Sequence, residues 1–205
     1  MHGLHLDADG TLLAGTHTGL FTVDADGRTA RIGKSDDDFM GLAGSPRDNH
    51  LFASGHPGPS SSQPNPLGLI ESTDGGHTWT AKSLTRKVDF HALATDGDLL
   101  IGFDGVAGLL KSTDAGASWT AGARLGATAL AITDTGVWAA TGQGLQHSTD
   151  GGHTFTAVPD APVLSLLSAA ADGSLWGIDT AGAAWRNCTG GHGSSTRSSD
   201  RSKRW

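Results

Sequence analysis

One eight-residue phrase occurs three times in this chain: STDGGHTW at 72–79, STDAGASW at 112–119 and STDGGHTF at 148–155. A phrase returning at intervals of 40 and 36 residues points to a repeated structural unit, each copy needing the same surroundings to hold its shape. The clearest unit is DFHALATDGDLLIGFDGVAGLLKSTDAGASWTAG at 89–122. Its short apolar runs at 90–94, 99–103, 108–111 and 119–121 are separated by TDGD, DGVA and the phrase itself, which reads as four strands joined by tight turns. Residues 126–158 repeat the scheme, and 39–84 repeat it with a longer loop. At 2–33 the phrase has decayed to TVDADG, and a fifth copy starts at 163 and runs through three strands to 186. Four-stranded units of this length cannot bury both faces alone and stack side by side as the blades of a β-propeller.

Composition agrees with an all-β chain. Of 205 residues 31 are Gly, Glu71 is the only glutamate and there is no tyrosine, so helix formers are scarce while turn formers abound. The net charge of −7 is spread along the chain, leaving no basic face for nucleic acid. No apolar run approaches the span of a membrane helix. Cys188 is single, so no internal disulfide forms. The opening residues have neither the basic stretch nor the apolar core of a signal peptide.

Within the phrase, Gly76, Gly116 and Gly152 suit turn positions of positive φ. Asp74, Asp114 and Asp150 can accept hydrogen bonds from their own loop, together with Ser72, Ser112 and Ser148. Trp79, Trp119 and Phe155 start the fourth strand and pack between sheets. These residues are read as staples.

The pattern S-x-D-x-G-x-x-W resembles the Asp-box, or bacterial neuraminidase repeat (BNR), of sialidases and many other propellers. Together with HGL, THTGLF, DFMG, SGHPGP, LGLIESTDGG and DFHAL, it resembles a bacterial glycosyl-hydrolase-like, exo-α-sialidase-like branch over residues 1–186. The resemblance implies a propeller whose boxes join third and fourth strands away from the binding face. It also implies an extracellular or cell-envelope location for the full-length parent. Sialidases use a tyrosine nucleophile, a paired glutamate and three arginines. This chain lacks tyrosine, Glu71 precedes a box, and Arg28, Arg31, Arg47, Arg86, Arg124 and Arg186 are not at equivalent rim positions, so sialidase chemistry is not expected.

In a four-stranded meander, the loop from second to third strand and the entry to each first strand share one face. That rule places His17, His56 and Asp104, with His2, Asp38, Asp89 and His91, on a single rim. Three ligand readings follow. His17, His56 and His91 are candidate ligands of a divalent transition metal, the one cofactor the sequence suggests. The whole rim is a candidate site for carbohydrate, peptide or another small ligand. Asp38, Asp89 and Asp104 are candidate acid and base of a glycoside hydrolase, the alternative to a binding module. The proline-rich insert HPGPSSSQPNPLG at 56–68 stands on the same rim as a wall.

Beyond 186 another box is due, but the chain continues as a Ser- and Arg-rich segment without strand pattern. Residues 187–205 are expected to be disordered, the product of a frameshift or truncation, leaving a five-bladed, incomplete ring of a parent with six blades.

Overall fold

The computed structural model describes residues 2–7, 9–45, 50–187 and 203–204. The chain forms five four-stranded sheets with no helix among the described residues. The first holds β1 (Gly3–Leu6), β2 (Leu12–Thr16), β3 (Gly19–Val23) and β4 (Thr29–Ile32), and the second β5 (Asp38–Gly44), β6 (Leu51–His56), β7 (Leu69–Ser72) and β8 (Thr80–Ser83). The third holds β9 (Ala92–Thr95), β10 (Leu100–Phe103), β11 (Leu109–Ser112) and β12 (Thr120–Ala121), and the fourth β13 (Ala129–Thr133), β14 (Gly136–Thr141), β15 (Gly144–Ser148) and β16 (Thr156–Ala157). In the fifth, β17 (Leu164–Ala169), β18 (Leu175–Asp179) and β19 (Ala184–Asn187) are joined by β20 (Lys203–Arg204).

The first four sheets are antiparallel meanders, as the repeat predicts, and the fifth differs at its outer strand. There Trp185 and Arg186 pair in parallel with Lys203 and Arg204. Those two residues, and Asn187 in β19, belong to the segment expected to lack structure. Residues 188–202 and 205, Cys188 among them, to which the rest of that expectation applies, lie outside the described residues.

The first strands line the axis, each beside the next, and β17 returns to β1. Blades are welded by apolar clusters that straddle each interface. Leu13 and Leu20 meet Phe39, Leu42 and Leu51; Phe52 and Leu69 meet Phe90, Leu93 and Leu100. Ile101 and Leu109 meet Leu130, Ile132 and Val137, and Trp138 and Leu145 meet Leu164, Leu167 and Leu175. Each large side chain withdrawn from water contributes about 1.5–3 kcal/mol. The interface of the fifth blade with the first has no such cluster among the described residues. Instead Leu4, Leu6, Leu12, Trp176 and Ile178 border a slot of about 280 Å3.

The repeated phrase builds the same turn three times. Ser72, Ser112 and Ser148 are 1% exposed, and each hydroxyl donates to the carboxylate of Asp74, Asp114 or Asp150 at 2.7–2.8 Å. Each also accepts from the amide of Gly76, Gly116 or Gly152 at 2.8–2.9 Å. These glycines have φ of +88°, +80° and +86°. A Cβ on Gly76 or Gly116 would meet Leu20 or Leu69 of the preceding blade at 2.2 Å, so the turn fits against its neighbour only as glycine. The following aromatic completes the weld: Trp119 lies 4.9 Å from Phe90 and its indole N–H donates to Ser83 of the second blade at 3.0 Å.

Two outcomes are expected. Trp119→Ala removes a packed ring and an inter-blade hydrogen bond, and should lower stability by about 3 kcal/mol in urea unfolding. The hydroxyl of Thr78, followed by the Thr78 amide, holds the Asp74 carboxyl down to about 2, and Ser118 does the same for Asp114; Thr154 lowers Asp150 further. A carboxyl held below its usual 3.8 binds protons more weakly folded than unfolded. Its stabilisation is therefore complete above about pH 4 and drains away as pH falls toward about 2. Melting temperature should drop across that window, and less so in Asp114→Asn, which starts lower at pH 7.

Candidate functional site

Two carboxylate–histidine groups form on the rim where first strands begin. The turn from β2 to β3 is set by Thr16, whose hydroxyl donates to the Gly19 carbonyl at 2.9 Å and accepts from the Thr18 amide at 3.1 Å. This leaves His17 projecting outward. Behind it the Arg31 guanidinium donates to the carbonyls of Thr18 and Ser35, fastening the turn to the entry of the second blade. His17 Nδ1 donates to Asp38 Oδ2 at 2.9 Å. His2 Nε2 is 3.0 Å from His17 Nε2, the rings meeting edge to face at 4.2 Å. With Nδ1 of His17 carrying a proton for Asp38, its Nε2 accepts from His2, which gives a chain of donors ending on the carboxylate.

The second group is centred on Asp89, whose Oδ2 faces His56 Nε2 at 3.0 Å and His91 Nε2 at 3.2 Å. His56 ends β6 directly opposite Asp38 in the sheet register, which sets the two groups side by side. Its Nδ1 meets Asn65 Oδ1 at 2.7 Å. In both carboxylates the second oxygen, Asp38 Oδ1 and Asp89 Oδ1, is buried and accepts no hydrogen bond from the described residues. Such an oxygen forgoes a donor it would have had in water. His2 and His91 stand at the wall of the central channel, whose free space is about 50 Å3. Burial first, and then surrounding positive charge that includes His17, push the His2 imidazole below its usual 6.5, with Asp38 acting the other way.

The rim residues expected from the sequence are thus brought together with two changes. His17, His56 and His91 do not make one ligand set: His17 belongs to Asp38, while His56 and His91 share Asp89. Asp104, expected to face the site, turns to its own loop and accepts from the Val106 amide at 3.0 Å, because the DGVA turn needs that acceptor. The fourth blade adds no imidazole, since Thr141 makes the same turn as Thr16 with Gly142 where His17 stands.

Sequence reasoning missed the fastening of the insert. Asp36 accepts from the Ser60 amide and hydroxyl at 3.1 and 2.7 Å, and Asp37 from the Gly58 amide at 2.8 Å. The signal was present: Ser35-Asp36-Asp37 has the S-x-D spacing of the repeated turn, and Ser35 donates to Asp37 at 2.8 Å. With Leu67 buried as well, the insert is a pinned wall. Glu71 is committed elsewhere, 2.6 Å from His50 and 2.9 Å from Lys82. Burial alone would raise its carboxyl, but these partners outweigh that and hold it below its ordinary range.

No family model matches the sequence, and no curated protein matches it. Solved structures do. The fold is similar to that of a GH74 enzyme from Niastella koreensis, at 22% identity and a TM-score of 0.59 over 86% of this chain and 32% of that one. It is similar also to a GH74 xyloglucanase from Xanthomonas campestris, at 20% and 0.57 over 90% and 36%. A third is a gluconolactonase from Xanthomonas campestris, at 15% and 0.59 over 86% and 68%. This chain therefore spans about a third of the length of the two GH74 proteins. At these identities the likeness is one of fold.

The donor chain predicts a titration. His2 should lose its proton below pH 6.5, and Asp38→Asn, which removes a charge favouring the imidazolium, should move that midpoint lower still. Histidine ring signals followed by NMR against pH check both.

Proposed function

We propose that this chain is an Asp-box propeller that binds a carbohydrate at the mouth of its channel. The observation that carries this is the pair of groups, Asp38 with His17 and His2, and Asp89 with His56 and His91, assembled from three blades on one rim. Each presents a buried carboxylate oxygen without a donor among the described residues. Sugar hydroxyls can donate to such oxygens and accept from imidazole N–H groups, repaying the desolvation already incurred. The pinned insert beside Asp89 and His56 costs little ordering on binding. The three turns with one hydrogen-bond set support membership of the Asp-box repeat proteins. A parent acting outside the bacterial cell on glycans fits the same reading, and the xyloglucan named for one structural neighbour makes its oligosaccharides a first choice of ligand.

Hydrolysis is the second reading, favoured by two carboxylates on one rim. It requires one of them to donate a proton, whereas Asp38 accepts from the His17 imidazole and the Asp89 carboxylate lies 3.0–3.2 Å from two imidazoles. Binding without turnover therefore has the better support.

Calorimetric titration with neutral oligosaccharides, xyloglucan fragments included, should reveal saturable binding. Asp89→Asn should weaken it by about tenfold or more, while Asp114→Ala should lower melting temperature and leave affinity unchanged. Release of reducing sugar that disappears in Asp89→Asn would instead establish the hydrolase. Affinity indifferent to Asp89 and Asp38 would remove the rim from consideration.

A further inference from the structure

We propose that His2, His17 and Asp38 form a site for one divalent transition-metal ion, zinc or a close chemical relative, at the mouth of the channel. The assignment rests on the rim being a binding face and adds what the first group binds. One nitrogen from each ring and one oxygen of Asp38 lie within 4.8 Å of one another, the only such trio among the described residues. His17 Nδ1 is 3.3 Å from His2 Nε2 and 2.9 Å from Asp38 Oδ2. Ligand atoms about 2.0–2.1 Å from a tetrahedral zinc ion stand about 3.3 Å apart. Two of the three spacings are therefore already near those of a filled site, and the ion would replace the protons that now hold these atoms together.

Two further observations point the same way. Asp38 Oδ1 is buried without a donor among the described residues, leaving it free to neutralise a cation or to bind one as a second carboxylate oxygen. The ligands also stand on fixed backbone. The His2 amide donates to the Gly15 carbonyl at 3.0 Å, Thr16 and Arg31 hold the His17 turn, and Asp38 opens β5. Two imidazoles and one carboxylate favour zinc, cobalt, nickel or copper over calcium and magnesium. Three protein ligands leave a position open for water or a ligand oxygen. The Asp89 group does not meet the spacing and serves as a hydrogen-bonding neighbour.

The metal alone tests the assignment. Protein carrying no histidine tag, stripped with a chelator, is titrated with Co2+ while visible absorption is recorded, and Zn2+ is then added in competition. The expected result is one cobalt ion per chain, displaced by zinc, with no response to Ca2+ or Mg2+. His17→Gln and Asp38→Asn should each weaken binding by about 10- to 100-fold. His77→Gln, which alters an exposed histidine on the opposite face, should leave it unchanged. Absence of saturable binding, or equal loss in His77→Gln, or indifference to both His17→Gln and Asp38→Asn in variants that melt cooperatively, would overturn the site. The two proposals fail separately. Glycan binding that survives without metal binding removes only the metal, and metal binding without any glycan binding removes only the carbohydrate reading.

Discussion

A buried serine hydroxyl is the point from which this ring is built. At Ser72, Ser112 and Ser148 it donates to an aspartate and accepts from a glycine amide, closing the turn on itself with few backbone groups left for water to satisfy. The closed turn brings a glycine against the preceding blade, where Leu20 and Leu69 leave no room for a Cβ. A local hydrogen-bond pattern thereby becomes an inter-blade contact. The same eight residues shape their own loop and set the distance to the next sheet.

That division of labour keeps the staples apart from the rim proposed to bind a ligand. The staples lie between third and fourth strands, whereas His17, His56, Asp38 and Asp89 lie at the opposite ends of the strands. A carboxylate in the turn is saturated by hydroxyl and amide donors, while the rim carboxylates each keep one buried oxygen free of donors among the described residues. The first group is a cost to folding that has been offset, and the second is a cost still open to repayment by a ligand.

The sequence carried the period and the strand order, because S-x-D-x-G is a backbone requirement that any reader of turn chemistry can place. It also put His17 and His56 at equivalent positions, since T-H-T-G and S-G-H-P each end a second strand. It did not carry the pairing of histidines with carboxylates. Which aspartate meets which ring depends on the lateral spacing of blades and on the register shift between Phe39 and Gly41, neither of which is written in any short stretch. Asp104 shows the limit from the other side: it is equivalent by position, yet a local amide claims it. The parallel pairing of Lys203–Arg204 had no periodic signal at all, being two residues long.

The same reasoning explains the open seam. Turns of the repeated type occur in the second, third and fourth blades, and each packs its glycine toward the blade before it, so the first three interfaces are stapled. At the fourth interface no such turn occurs among the described residues, where Trp138, Leu145 and Leu164 form a cluster. The first blade, which would have to staple the fifth, carries TVDADG in that place. There Asp24 accepts from the Asp26 and Arg28 amides in an exposed turn that has lost the serine hub. Among the described residues this seam has neither a staple nor a cluster, and the apolar side chains of β1, β2 and β18 border a slot of about 280 Å3 instead of interlocking. Dispersion falls off within an ångström of lost contact, so among the described residues this seam carries the least apolar interlock of the ring, alongside the decay of one turn in the first blade.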